Sequence, residues 1–367
     1  MTARRLSVWP GLPLDVYLRR PRSRRLPFPL EEAGCRLFSR GRQALWHGVS
    51  AVGLRAGDAV LAPAYHHGAE IEALVRAGLV PRFYEGTASL EPDEQELDAL
   101  LSADVRALHL THHFGFPQNV DSWRRWCDER GLLLLEDAAQ AWLATVEGVP
   151  VGSHGDVSIF CLYKTFGLPD GGAVVVRGPV PTGNGRQRLG VGLIARRHAA
   201  WLAGRSGTAV ALADRLRAPT GQWSDEEFAL GELDAGPSSA VRFLLRRLVD
   251  GDVARKRRAN YQLLLDKLGT QVLEPFAELQ AGASPFVFPL DTERKAEVLA
   301  ELFEEGIAAP DFWSIPHSSL PAERYPRATA LRERVVGLPV HQELTPRDVE
   351  RVAAAAQGRG SPARVRS

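Results

Sequence analysis

The chain has 367 residues, 45% hydrophobic and 24% charged, with a formal net charge of +1 at pH 7. That length suits about two globular domains, and near-neutrality provides no global field to recruit nucleic acid or an anionic membrane. Cys35, Cys127 and Cys161 are odd in number and far apart, which excludes a disulfide framework and zinc-ligand spacing; with no membrane-length apolar run and no hydrophobic signal region, the expectation is a cytoplasmic protein.

Residues 1–34 carry seven arginines among several prolines and read as a loosely ordered basic arm on the body or on a second subunit. Arg40–Leu45 then opens a helix to about residue 52. Gly41 at its start leaves backbone N–H groups free to face an anion, which the helix dipole also favours. A strand over 58–62 leads into Pro63-Ala64-Tyr65-His66-His67, with a helix over 69–77. No acid or cysteine stands at ligand spacing from the two histidines, so no metal is expected. Strand 81–84, helix 94–101, strand 105–111 and amphipathic helix 121–130 follow.

The five residues 131–135 are uniformly apolar and too short for an amphipathic helix, so they read as a buried parallel strand. Glu136 and Asp137 fall at its carboxyl end, where open α/β sheets place ligand chemistry. A strand over 156–161 delivers Lys164 onto a loop closed by Pro169-Asp170-Gly171-Gly172, and 173–177 is the next strand. Strands alternating with helices at this spacing predict a mostly parallel sheet with right-handed crossovers. No G-x-G-x-x-G follows a strand, so a nicotinamide-binding domain is not expected.

Residues 178–236 hold glycine-rich turns and helical patterns near 194–202 and 210–216. A long helical pattern covers 238–268, with the arginines of 255–258 expected on a solvated face rather than against nucleic acid. Strand 285–290, helix 294–305, helix 328–334, strand 335–338 and helix 346–355 predict a small α+β domain, and the residues after 357 a disordered basic tail. The expected units are thus 1–34, 35–236, 237–357 and 358–367.

An acid at one strand end and a lysine after another suit pyridoxal phosphate. That cofactor needs an amine for its Schiff base and a carboxylate facing its pyridine nitrogen. By spacing alone the pattern is common, because strand-end acids often cap helices and most lysines are solvated. Two motifs in order are more specific: Glu136-Asp137-Ala138-Ala139-Gln140-Ala141, and Lys164-x5-Asp170-Gly171-Gly172 preceded by Gly155-Asp156. They resemble the DegT/DnrJ/EryC1/StrS sugar aminotransferase family, from about residue 41 to 355 with a poorly matching middle.

The resemblance implies the α/β fold of type I pyridoxal-phosphate transferases, with a mostly parallel sheet flanked by helices in a large domain and a smaller C-terminal α+β domain. It implies Lys164 as cofactor-holding lysine and general base, and Asp137 as partner of the pyridine nitrogen. Gln140 would sit near the ring hydroxyl, and His67 would stack on the ring, with His66 and Tyr65 as alternative stackers. Gly41, Arg42 and Gln43 would hold the phosphate from one side, Arg42 standing where the family has threonine. Cys161 or Ser158 would stand in for a serine on the other side. Trp313 and His317 fall near the substrate mouth. By the same resemblance His112–Gly115 matches an H-x-x-G loop of structural role, while the family's G-x-N-x-R-M segment has no counterpart and Tyr163 has no assigned role.

The implied reaction moves an amino group from L-glutamate to a keto group of a nucleotide-linked deoxysugar or related small carbonyl compound. It belongs to amino-sugar or secondary-metabolite biosynthesis, in a homodimer with its active sites at the interface. The alternatives are a non-catalytic regulator or partner subunit on the same scaffold, and a pyridoxal-phosphate lyase or racemase.

Overall fold

A computed structural model describes residues 4–21, 25–178, 181, 185–203 and 228–358. Seven strands make the central sheet: β1 (Cys35–Phe38), β2 (Ala59–Pro63), β3 (Val80–Tyr84), β4 (Val105–Thr111), β5 (Leu133–Asp137), β6 (Val157–Cys161) and β7 (Gly172–Val176). Their order across the sheet is β1-β7-β6-β5-β4-β2-β3. Strands β3, β2, β4, β5 and β6 are parallel, and β7 runs antiparallel to both β6 and β1. The chain steps from β2 outward to β3 and then back to the other side of β2 to form β4. That reversal opens a crevice beyond the carboxyl ends of the strands, where this topology binds ligands. Leu134 and Leu135 are buried and Leu133 partly so, because helices cover both faces of the sheet.

The helices are α1 (Gly41–Ala51), α2 (Ala69–Arg76), α3 (Glu94–Ala99), α4 (Val120–Arg130), the one-turn α5 (Leu162–Thr165) and α6 (Val191–Ala203). Further on lie α7 (Val241–Leu248), α8 (Val253–Leu268), α9 (Lys295–Glu304), α10 (Pro326–Arg334) and α11 (Pro346–Ala356). An antiparallel pair, β8 (Val287–Asp291) and β9 (Val335–Pro339), packs with α8, α9 and α11. The pattern expected over 238–268 is two helices. Val249 turns extended at the end of α7, and the Asp250 side chain takes the N–H of Asp252, diverting the backbone from helix.

The N-terminal arm is tied down where it is described. Val8, Leu12 and Val16 are fully buried, and Leu6–Ser7 pairs with Ile307–Ala308. An apolar residue every four positions thus anchors a segment whose arginines suggested looseness. The helix expected near 210–216 and the tail beyond 358 lie outside the described residues.

The loop after β4 must pass very close to the strand leading into β8. Gly115 has φ of +95°, and a Cβ there would come within 2.3 Å of the Ser284 carbonyl oxygen and 2.6 Å of the Phe286 nitrogen. Its carbonyl accepts from Ser284 N–H, and Phe114 O accepts from Phe286 N–H, so this approach is a bonded seam. Gly115→Ala should therefore cost about 2–4 kcal/mol of stability, from the left-handed conformation and the backbone clash together. Denaturant unfolding followed by circular dichroism would measure it.

Candidate active site

Register sets the floor of the cleft. Thr111 of β4 pairs with Asp137 of β5, and Asp137 pairs with Ile159 of β6, so three residues from three parallel strands stand side by side at the carboxyl edge. All three line one cleft together with Gly41, Arg42, His67, Gln140, Cys161, Lys164 and Trp313. Residues drawn from across the chain therefore converge, because each follows a strand end or opens a helix at the same edge.

Asp137 is 6% exposed. One of its oxygens accepts the Ala139 N–H at 2.8 Å, and the other lies 3.7 Å from His109 Nε2. Burial raises its pKa against the opposing pull of the Ala139 N–H, Lys164 and His112. Lys164 rides on α5 with its amine 5.8 Å from the centre of the Phe286 ring. Burial opposes the charge on this amine, while Cys161, Tyr163, Asp137 and Glu70 favour it and leave its pKa raised. Gln140 is buried, and its side-chain oxygen accepts Phe114 N–H at 2.7 Å.

His67 is held neutral. Burial first, then Lys164, Arg42 and Arg332, push it down to about 3. The two other ring candidates are spent elsewhere. His66 bonds the Pro63 carbonyl through Nδ1 at 2.9 Å and stacks on Phe83, while Tyr65 packs 4.9 Å from Trp313.

On the other side, α1 begins against β6. A Cβ on Gly41 would stand 2.6 Å from Cys161 Sγ, so glycine is what allows the helix start and the thiol to share this corner. Strand alternation separates the two candidates on β6. Cys161 and Ile159 face the cleft, whereas Ser158 is fully buried on the opposite face, its hydroxyl 2.5 Å from where a Gly155 Cβ would be. Gln43 lies outside the cleft lining. Its oxygen accepts from Ser39 Oγ at 2.7 Å and Arg40 N–H at 2.9 Å, and its amide donates to the carbonyls of Leu230 and Glu232. His317 is also engaged outside the cleft, bonded to Glu72 at 3.0 Å and Ser319 at 2.8 Å, while Trp313 lines it.

The structure adds residues that motif reading missed. Glu70 and Thr111 line the cleft, and the buried Thr111 hydroxyl has no hydrogen-bond partner among the described residues. Tyr163, which had no role, lines it too, with the Arg40 guanidinium 4.9 Å above its ring. Thr111 ended a predicted strand beside the predicted Asp137 strand, so register could have found it. Glu70 carries no local signal.

Arg257 is 1% exposed and not on a solvated face. It donates to the carbonyls of Thr165 at 2.9 Å, Lys164 at 3.4 Å and Pro285 at 3.0 Å, which ties the lysine turn to α8. Across the cleft, Arg332 of α10 donates to the carbonyls of Ala64, His66 and Trp313 at 2.7, 2.9 and 2.6 Å. Burial lowers these guanidiniums to about 9 and about 10 respectively.

Several buried histidines ring the site in neutral form. Burial pushes His109 to about 4 and His113 to about 3. In the unfolded chain each would take a proton near pH 6.5. Their contribution is therefore complete above that value and is lost as pH falls from about 6.5 towards 3–4. The denaturation midpoint should drop on acidification from pH 7 to 5, and more shallowly in His113→Gln.

Residues 32–183 match the model of the DegT/DnrJ/EryC1/StrS aminotransferase family. The chain is 35% identical to GDP-perosamine synthase of Vibrio cholerae over 140 residues, a stretch covering 37% of this chain and 38% of that protein. It is 26% identical over 332 residues to dTDP-3-amino-3,4,6-trideoxy-alpha-D-glucose transaminase of Streptomyces venezuelae, covering 83% of this chain and 77% of that one. Among solved structures it is similar to DesV of S. venezuelae in complex with a ketimine intermediate, with a TM-score of 0.65, 23% identity, and 93% and 92% of the two chains covered. That last likeness speaks for the fold, and the family match covers the stretch that carries the cleft's lysine and acid. Over residues 32–183 the chain is thus similar to the DegT/DnrJ/EryC1/StrS aminotransferase family.

Proposed function

We propose that the protein is a pyridoxal-phosphate aminotransferase that passes an amino group from L-glutamate to a keto group on a nucleotide-linked deoxysugar. The carrying observation is the meeting of the Lys164 amine, the Asp137 carboxyl and the start of α1 in one cleft. The acceptor class follows the likeness to GDP-perosamine synthase and the dTDP-aminosugar transaminase.

The residues present fit the cofactor. Among the described residues the Lys164 amine has no hydrogen-bond acceptor, and the buried Thr111 hydroxyl is unpartnered. Asp137 has an oxygen left over after the Ala139 N–H, and its raised pKa calls for a cationic N–H donor. The start of α1 opens on this cleft at Gly41, and a helix N-terminus favours an anion.

Bound there, pyridoxal phosphate supplies an aldehyde that takes up the donor's amine and a ring that draws electrons from the bond to be broken. Lys164 Nζ holds the cofactor between turnovers and then moves the proton off the donor's α-carbon. Asp137 keeps a proton on the ring nitrogen. His67 offers a neutral flat ring for stacking, and its neutrality avoids a second positive charge beside Lys164. Gly41 and Arg42 hold the phosphate, with Cys161 closing that corner. The Gln140 oxygen is taken by Phe114 N–H, so its amide N–H groups are what remain for the ring hydroxyl. The Gln43, Ser158 and His317 side chains, bonded or turned elsewhere, drop out of this reading.

The reading includes a cofactor-binding large domain over residues 35–236, a small domain over 237–357, a cytoplasmic location and a homodimer. No helix among the described residues is long and apolar enough to cross a membrane. Leu14, Tyr17 and Leu18 remain exposed beside Phe243, whose ring lies 6.2 Å from that of Tyr17, which supports a second copy covering this face.

Protein supplied with pyridoxal phosphate should show a visible absorbance band that L-glutamate bleaches with release of 2-oxoglutarate. Lys164→Ala should lose the glutamate reaction by about 10²–10⁴-fold. No band in the wild type would sink the reading. Gly41→Ala should weaken cofactor uptake at least about tenfold by crowding Cys161, and Gly41→Ala/Cys161→Ala should recover part of it, measured by titrating the band. Sedimentation equilibrium should return twice the chain mass.

A further inference from the structure

Glu70 is a buried acid, 8% exposed, that lines the cleft without a part in the chemistry assigned above. It sits in the first turn of α2, just after the His67 loop. One oxygen accepts the His67 N–H at 2.9 Å. The other has no hydrogen-bond donor among the described residues. An acid at a helix start suits the dipole, but that benefit is available equally to a side chain left in water. At the cleft this mostly buried carboxyl keeps one oxygen spare, which a hydrogen-bond donor of a bound ligand can take.

The surroundings narrow the donor. Glu70 is felt electrostatically by Lys164, His109 and Arg332, so it belongs to the cleft's charge balance. Asp137 and Glu70 are the two carboxyls among the cleft-lining residues, and they approach from different strand ends. A substrate carboxylate set against Glu70 would meet like charge in a poorly solvated place, whereas a hydroxyl would make a charge-assisted bond. Discrimination of that kind combines an attractive and a repulsive element in one side chain.

We infer that Glu70 selects the acceptor: its spare oxygen takes hydroxyl donors of a sugar ring near the keto carbon, and its charge disfavours an acceptor that would set a carboxylate against it, while L-glutamate and 2-oxoglutarate seat their carboxylates away from Glu70. This rests on the aminotransferase reading and names the residue behind its acceptor class.

The test is Glu70→Gln, which keeps an oxygen for the His67 N–H while removing the charge. Holoenzymes of wild type and variant would be compared, with L-glutamate as donor, on a dTDP-linked 3-keto-6-deoxyhexose and on pyruvate. The ratio of kcat/KM for keto sugar over pyruvate should fall about tenfold in the variant, mainly through a raised keto-sugar KM, as expected for loss of a hydrogen bond to a charged group. Glu70→Ala, which also breaks the His67 bond, should depress both acceptors. An unchanged ratio in Glu70→Gln, or equal losses on both acceptors, would leave Glu70 a structural cap and overturn the inference. So would a wild type that takes L-glutamate but aminates only pyruvate, with the cofactor reading left standing. Absence of a cofactor band in both proteins would instead be failure of the underlying function.

Discussion

Adjacent residues on a strand point to opposite faces of the sheet, and at the end of β5 both residues are acids. Glu136 turns to one face, where it accepts His112 Nε2 at 3.0 Å and the N–H groups of His154 at 3.0 Å, Gly155 at 2.8 Å and Gly152. Burial raises the pKa of Glu136, but the His112 and backbone bonds outweigh it and leave the carboxyl below its ordinary range. Asp137 turns to the other face with a single backbone N–H, and there burial dominates and raises it. Two neighbouring carboxyls thus acquire opposite electrostatic characters from the pleat alone. One fastens the loop of residues 152–155 to the sheet. The other is left short of donors where the cleft opens, and Lys164, Gly41 and His67 are arranged around that deficit.

The cleft walls are held by two arginines from the C-terminal part of the chain. Arg257 gathers the carbonyls behind Lys164, and Arg332 gathers those before His67 and at Trp313. A buried guanidinium is costly unless its donors are satisfied, and here the hydrogen-bond partners are mostly carbonyl dipoles. A planar fork with several donors suits that task better than a lysine, because it can fix separate carbonyls at once. The same buried charge of Arg332 helps to keep His67 neutral. Scaffold and electrostatics are therefore not separable on this side of the cleft.

Arg42 and Cys161 line the cleft at the start of α1, and the tight approach of the Gly41 backbone to the Cys161 thiol makes that corner one packing unit. Tyr163 lies between that corner and Arg40, stacked under the guanidinium. Glu70 brings a second carboxyl into a cleft that already holds Asp137. These residues do not alter the floor formed by Thr111, Asp137 and Ile159, so variation in them leaves the sheet register intact.

By itself the sequence determined the alternation of strands and helices and the parallel centre of the sheet, and two ordered motifs singled out Asp137, Gln140 and Lys164, which the fold brings to one cleft. Short apolar runs, helix starts and two ordered motifs are local signals, and local spacing governs them. It also placed Gly41 at a helix start, which the structure puts at the cleft. Tertiary structure alone decided which face each strand residue took, and that separated Cys161 from Ser158 and gave Asp137 and Glu136 different fates. It alone decided that Gln43 and His317 are consumed by carbonyls and a carboxyl far away in the chain. Burial of Arg257, and the anchoring of the N-terminal arm through Val8, Leu12 and Val16, were likewise set by elements remote in sequence. Side-chain engagement depends on partners brought together by the fold, and spacing along the chain carries no record of them.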